Sequence, residues 1–394
     1  MKKLPPLLTI VLPGLFSIQS NAQWQLSHTS SSSWSIVKKD TSVLAGIASG
    51  IYFSDNSGIT WTLKNCSTTY VRSIVVRDSV IFITAENNGV YKSVDNGVTW
   101  LSIDSGIDNP SQAWSLIQND SLLILGTSGS FGGDTAAIYI SSDNGDSWTK
   151  VFSLGIFNVF FSFAVSGNQV FAGVLPSGLY YSNDKGLTWT LQNSSISAKH
   201  IALSDTNLLC GVSGGTGGIY LSTDKGISWN NVLPLYYGYA FATSGNFTYA
   251  GTSNGFYYSL DNGYTWTPDN NGLPAITGII SICIMDSIIF IGTTNAEIYI
   301  RAIAGIVGGI TDWITLCTDL YVFPNPATNT LNIQNNSTQP FQFILYNSLG
   351  EKHIDKKLTG KTSAINFSAY PKGLYFYKSI NDMQIIKSGA IIKQ

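Results

Sequence analysis

The feature that most constrains this chain is a phrase of eight residues that keeps returning. It stands complete as Ser93-Val94-Asp95-Asn96-Gly97-Val98-Thr99-Trp100. Four more copies end on Trp148, Trp189, Trp229 and Trp266, with their acids at Asp143, Asp184, Asp224 and Asp261. A degenerate first copy, ending on Trp61, carries Asn56 where the others carry Asp. Successive tryptophans lie 39, 48, 41, 40 and 37 residues apart, and the long interval holds a Gly-rich insertion from Gly126 to Asp134. A period near 40 residues means that one supersecondary unit is being repeated.

Each unit reads alike. Two apolar runs flank a turn at Asp78-Ser79, then come Gly89-Val90-Tyr91, the Ser-x-Asp-x-Gly turn and a Trp-led segment. Four short strands within about 40 residues make one propeller blade. The Asp can accept backbone N–H groups in its own turn, and Gly takes the left-handed position. The Trp ring then packs on that turn. The phrase resembles the Asp-box (BNR) repeat of sialidase-like and photosystem-assembly-factor-like β-propellers. In that family the boxes lie at the blade periphery, away from the central ligand site. The resemblance therefore implies a structural role for Asp95, Asp143, Asp184, Asp224 and Asp261, not a catalytic one.

Six boxes leave a seventh unit to find. After Trp266 the runs from Ile279 to Gly292 and Ala296 to Ile300 offer three strands and lack a fourth. Trp24-Gln25-Leu26 reads as an orphan fourth strand, and joining the two closes a ring without open sheet edges. The expected fold class is all-β: a seven-bladed β-propeller over 23–308, a linker over 309–319, and a small Ig-like β-sandwich over 320–394. Composition agrees, since only 11% of residues are charged against about 25% in ordinary domains. The chain instead carries 38 Gly, 20 Tyr, 19 Phe and 10 Trp, which suit turns and strands.

Charge excludes one function class. The net charge of −2 conceals −8 over residues 23–318 and +4 over 319–394. An acidic middle, with Arg72, Arg77 and Arg301 the only arginines of the chain, cannot form the phosphate-neutralising patch that nucleic acid requires. Cys66, Cys210, Cys283 and Cys317 lie far apart without a CxxC spacing, and three His complete the soft ligands. No metal and no cofactor are expected; the pairing of the cysteines stays open.

Both ends carry addressing signals. Lys2-Lys3, the apolar run from Leu4 to Ile18 and the small residues of Ser20-Asn21-Ala22 read as a signal peptide over 1–22. No other stretch suits a membrane helix, so the mature protein is expected to have no transmembrane span. At the other end, Tyr321-Val322-Phe323-Pro324-Asn325-Pro326-Ala327 is followed by a Leu349-Gly350-Glu351-Lys352 turn and by Pro371-Lys372-Gly373-Leu374-Tyr375. These motifs, in this order, resemble the type IX secretion C-terminal sorting domain. The resemblance implies the type IX secretion machinery and a sortase-like peptidase as partners. It also implies a place outside the cell or on the outer-membrane surface, with the cargo released or attached there.

Enzyme chemistry finds little support. The resemblance to sialidases would require an Arg triad for the substrate carboxylate, and three arginines so dispersed do not supply it. Asp104, Asp108, Asp134, Asp269 and Glu86 sit in loops that could reach one face, but no spacing selects the pair a glycosidase needs. The Gly-rich run from Gly211 to Gly218 lacks the Lys-Ser/Thr ending of a phosphate loop. No catalytic residue is assigned.

A better hint comes from aligning the strands that open each unit. Trp34, Arg72, Trp114, Phe161, Lys199, Tyr239 and Ile280 fall at equivalent positions, which a propeller gathers into a ring near the rim of its channel. Phe157, Tyr236 and Tyr237 lie in the loops before them. Aromatic faces beside hydrogen-bonding groups suit a glycan or a protein ligand; packing between blades would use the same residues. The expectation is a secreted binding or scaffold module. A glycoside hydrolase acting on neutral polysaccharide is the enzyme alternative, and a photosystem-type assembly role is weaker because the chain is exported.

Overall fold

The computed structural model describes residues 23–303 and 320–393, apart from 30–31, 49, 65, 67–69, 131, 213–216, 235, 246, 276, 324–326, 336–339, 348–350, 360 and 382–383. The expected signal peptide and linker, Cys317, and the motif residues Pro324, Asn325, Pro326 and Gly350 lie outside the described residues. The chain divides into two units, 1–306 and 307–394.

The first unit holds seven four-stranded antiparallel sheets. Six of them take their strands in sequence order, as in blade 2: Val71–Arg77, Val80–Ala85, Gly89–Ser93 and Leu101–Ser102. Each first strand touches the first strand of the next sheet, and the seventh returns to the first, so the sheets form a closed seven-bladed propeller. Its core lies in the seams between blades. Phe82, Val90 and Ile103 of blade 2, for example, pack with Leu116, Leu125 and Trp148 of blade 3.

The seventh blade is composite. Ile279–Met285, Ile288–Thr293 and Glu297–Ala302 are completed by Gln25–Thr29, which pairs antiparallel with Glu297–Ala302. Trp24 fastens this seam: it is 3% exposed and meets Phe256 edge-on at 4.8 Å between ring centroids. Its backbone N–H donates to the Asn271 carbonyl at 2.8 Å.

The boxes form one repeated hydrogen-bond pattern. In blade 2 the Gly97 N–H donates to Ser93 Oγ at 2.8 Å, and that hydroxyl donates to Asp95 Oδ1 at 2.8 Å. The Thr99 N–H donates to Oδ1 at 2.9 Å and the Thr99 hydroxyl to Oδ2 at 2.5 Å. Asp143, Asp184, Asp224 and Asp261 accept equivalent bonds from Ser147, Thr188, Ser228 and Thr265. Asn56 repeats the pattern with an amide, accepting from the Thr60 N–H at 2.9 Å. Hydrogen bonds to the ionised form favour it. The Thr99 hydroxyl leads in holding Asp95 at about 2, and the Ser228 hydroxyl leads for Asp224, also about 2.

The second unit has two antiparallel sheets. One joins Leu320–Phe323, Thr330–Asn335 and Thr362–Asn366; the other joins Lys352–Leu358, Phe341–Asn347, Gly373–Asn381 and Gln384–Lys393. Leu331, Ile333, Phe343, Leu345 and Ile391 of the two sheets share one core with Phe367, which follows Thr362–Asn366. Pro371 is exposed, and its carbonyl accepts the Tyr375 hydroxyl at 2.9 Å; Gly373 opens the following strand.

Candidate functional site

The first strands of the blades place the aligned residues in one location, and the device is a β-bulge. The pairing skips one residue between Val71 and Ser73, Ala113 and Ser115, Phe160 and Ser162, Ala198 and His200, Gly238 and Ala240, and Ile279 and Ser281. The skipped residues are Arg72, Trp114, Phe161, Lys199, Tyr239 and Ile280. A bulge re-aims its side chain away from the strand's alternation. In blade 1, Trp34 stands just before Ser35–Lys39 and its N–H donates to the Gly46 carbonyl at 3.1 Å. All seven residues line a single cavity of about 710 Å³ at the axis.

The layer beneath the bulges fixes the blades to one another. The residue after each bulge pairs with Gly126, Gly173, Gly211, Gly251 or Gly292 in the second strand, and Ser35 pairs with Gly46 likewise. Here the next blade approaches closely: a Cβ on Gly211 would lie 2.3 Å from the Gly238 carbonyl oxygen. Blade 2 substitutes Thr84, whose hydroxyl donates to the Trp114 carbonyl at 3.0 Å. Serine hydroxyls complete the layer. Ser73 donates to the Leu116 carbonyl, Ser115 to Phe160, Ser162 to Lys199 and Ser281 to Ser33, at 2.6–3.1 Å.

Around the rim, cations alternate with rings. The Arg72 guanidinium carbon lies 4.5 Å from the Trp34 ring centroid and 4.5 Å from that of Trp114. Glu86 accepts a bond from the same guanidinium. Trp114 meets Phe161 edge-on at 5.3 Å. Lys199 Nζ stands 5.1 Å from the Phe161 centroid and 5.7 Å from that of Tyr239. Such contacts stabilise a cation but do not neutralise it. Burial, with the Arg72 charge adding to it, lowers the Lys199 ammonium below its ordinary value. His200, also lining the cavity, is lowered by burial and then by Lys199.

Other sequence-derived candidates lie elsewhere. Phe157, Tyr236 and Tyr237 do not line the cavity; Tyr236 faces Tyr257 at 6.0 Å, and Tyr237 reaches the rim only through Tyr239 at 6.4 Å. None of the loop acids lines the central cavity. Asp269, half-buried, pairs with the buried Arg301 at the composite blade, and Glu86 is engaged by Arg72. Asp104 accepts from the Val90 N–H at 2.8 Å and from Ser102 at 2.6 Å. Asp108 and Asp134 share a smaller cavity of about 210 Å³. Asp108 pairs with Lys150, and Asp134 accepts from Asn109 and Ser130 at 2.7 Å each. Among the described residues the central cavity is lined by no carboxylate.

Residues 321–394 match the family described as the secretion system C-terminal sorting domain, and residues 257–268 match the BNR/Asp-box repeat. A search of curated proteins finds no match. Among solved structures, the chain is similar to YCF48 bound to D1 peptide, at 17% identity and a TM-score of 0.59, over 71% of this chain and 97% of that one. YCF48 from Cyanidioschyzon merolae gives 15% identity and 0.55 over 71% and 98%. The GH74 enzyme of Niastella koreensis gives 16% and 0.54, over 79% of this chain but 59% of the enzyme. At such identities the likeness shows the propeller fold alone. The sorting-domain match supports type IX secretion and an extracellular or surface location. No helix among the described residues is long and apolar enough to cross a membrane.

Proposed function

We propose that this protein is an exported binding module whose ligand sits at the mouth of the propeller channel, against Trp34, Arg72, Trp114, Phe161, Lys199 and Tyr239. The observation that carries this reading is the run of bulges. Six successive blades each break their ladder at one position, and that position delivers a side chain to the same 710 Å³ cavity. Packing alone would not need a bulge at the same position in six blades. A cavity of this size falls in the usual range for ligand sites. The similarity to YCF48 bound to D1 peptide adds a peptide to the glycan as a class to test.

The domain plan completes the proposal: residues 1–22 are a signal peptide, 23–308 the binding propeller and 320–394 the sorting domain. The type IX machinery handles that domain and a sortase-like peptidase removes it, leaving the propeller released or surface-attached. Glycan and peptide arrays on the purified chain, run beside a polysaccharide-hydrolysis screen, test the reading. Retention without turnover, lost in Trp114→Ala while the melting curve stays cooperative, is expected. Turnover of a neutral polysaccharide would replace the binding module by a glycoside hydrolase.

A further inference from the structure

The charge inventory of the cavity narrows its ligand. We infer that the channel takes a monoanionic organic acid, its carboxylate seated against the Lys199 ammonium. The inference rests on the channel being the binding site.

Three observations lead there. First, the cations at the rim are not equally matched. Arg72 has Glu86 as its counter-ion and two indole faces about it. Lys199 has only the rings of Phe161 and Tyr239, and no carboxylate among the described residues bonds it. A half-buried cation without a counter-ion is costly to keep, and folded chains retain such groups chiefly where a ligand uses them. Second, four of the hydroxyls that line the cavity are already committed to the protein itself. Ser73, Ser115, Ser162 and Ser281 direct their protons to carbonyls of the next blade. The ammonium, with three N–H donors and no acceptor, is the charged donor of the cavity that no carboxylate among the described residues engages. Third, the faces that Trp34 and Trp114 turn to Arg72 are covered by its guanidinium. Stacking of a sugar ring there would have to displace an ion-paired arginine.

One unmatched positive charge calls for one negative charge. A phosphate monoester brings about −1.5 to −2 at neutral pH and would set the excess against Glu86. A carboxylate brings one charge and two acceptor oxygens, and the aromatic walls suit an apolar or planar body attached to it.

The test uses the purified full chain and two acids of different origin, glucuronate and 3-phenylpropionate, each beside its neutral counterpart, glucose and 3-phenylpropionamide. At least one acid is expected to bind, with its counterpart weaker by about tenfold or more, as a charge-assisted hydrogen bond implies. Lys199→Gln should lose that preference by about the same factor while melting normally, and Lys199→Arg should restore part of it. The Lys199 amine, followed by NMR, should titrate at higher pH with the acid bound. Equal binding of an acid and its neutral counterpart would overturn the inference and leave the channel reading standing. So would unchanged acid affinity in Lys199→Gln. A silent titration with all four probes at millimolar concentration overturns it too, whereas the array result alone decides the channel reading.

Discussion

The indole N–H of Trp24 donates to the carbonyl oxygen of Asp269 at 2.7 Å, across 245 residues of chain. This bond and the strand after it join the two ends of the propeller. Replacing Trp24 by Ala leaves a cavity beside Phe256 and an unsatisfied carbonyl. Large-to-small changes of this kind cost about 3–5 kcal/mol. Urea unfolding should show a loss of at least about 3 kcal/mol; a variant as stable as the parent would refute the seam.

The boxes should set the acid limit of the fold. The carboxyls of Asp95 and Asp224 fall from an ordinary 3.8 to about 2 on folding. A depressed carboxyl contributes stability above its unfolded value and loses it as pH drops through the folded one. Stability should therefore decline between about pH 4 and 2. Asn56 makes the same backbone bond without a charge, so a variant with Asn at all five box acids should fold and lose much of this decline. An identical acid slope in that variant would assign the effect to other groups.

The glycine layer gives a steric prediction. Gly211→Ala would press a methyl group onto the Gly238 carbonyl at 2.3 Å, and the atoms it meets are all backbone. Overpacking of this kind costs about 1–3 kcal/mol. Gly155→Ala, whose Cβ would meet only Asn158 at 3.9 Å, should stay within about 0.5 kcal/mol of the parent. Equal melting temperatures for the two variants would show that the blades can separate to admit a side chain.

Removal of residues 320–394 tests the export route. The truncated chain should accumulate in the periplasm, and cell fractionation should find it there while the full chain reaches the surface or medium. Normal surface delivery of the truncated chain would contradict the sorting role.

The repeat, the composite blade and the positions of the rim residues are all legible in the sequence, because boxes and apolar runs are local patterns. What Arg72 does is not. Alternation along its strand predicts only that Arg72 and Arg77 point to opposite faces. The bulge that re-aims Arg72 arises from pairing with the neighbouring strand, where Val71 meets Ala85 and Ser73 meets Thr84. The ion pair of Asp269 is not legible for a related reason: its buried partner Arg301 lies 32 residues away. One signal was present and unused. Gly46, Gly126, Gly173, Gly211, Gly251 and Gly292 each directly follow two or more apolar residues, and that recurrence marks where backbones of adjacent blades meet.

The composite blade also sets a schedule. Gln25–Thr29 is the first described strand of the propeller, yet its hydrogen-bonding partner, Glu297–Ala302, is the last. Until that partner is delivered, the ring stays unlatched with an unpaired strand at each end. Contacts so distant in sequence form slowly. Closure of the ring therefore waits until nearly the whole propeller sequence is available to fold.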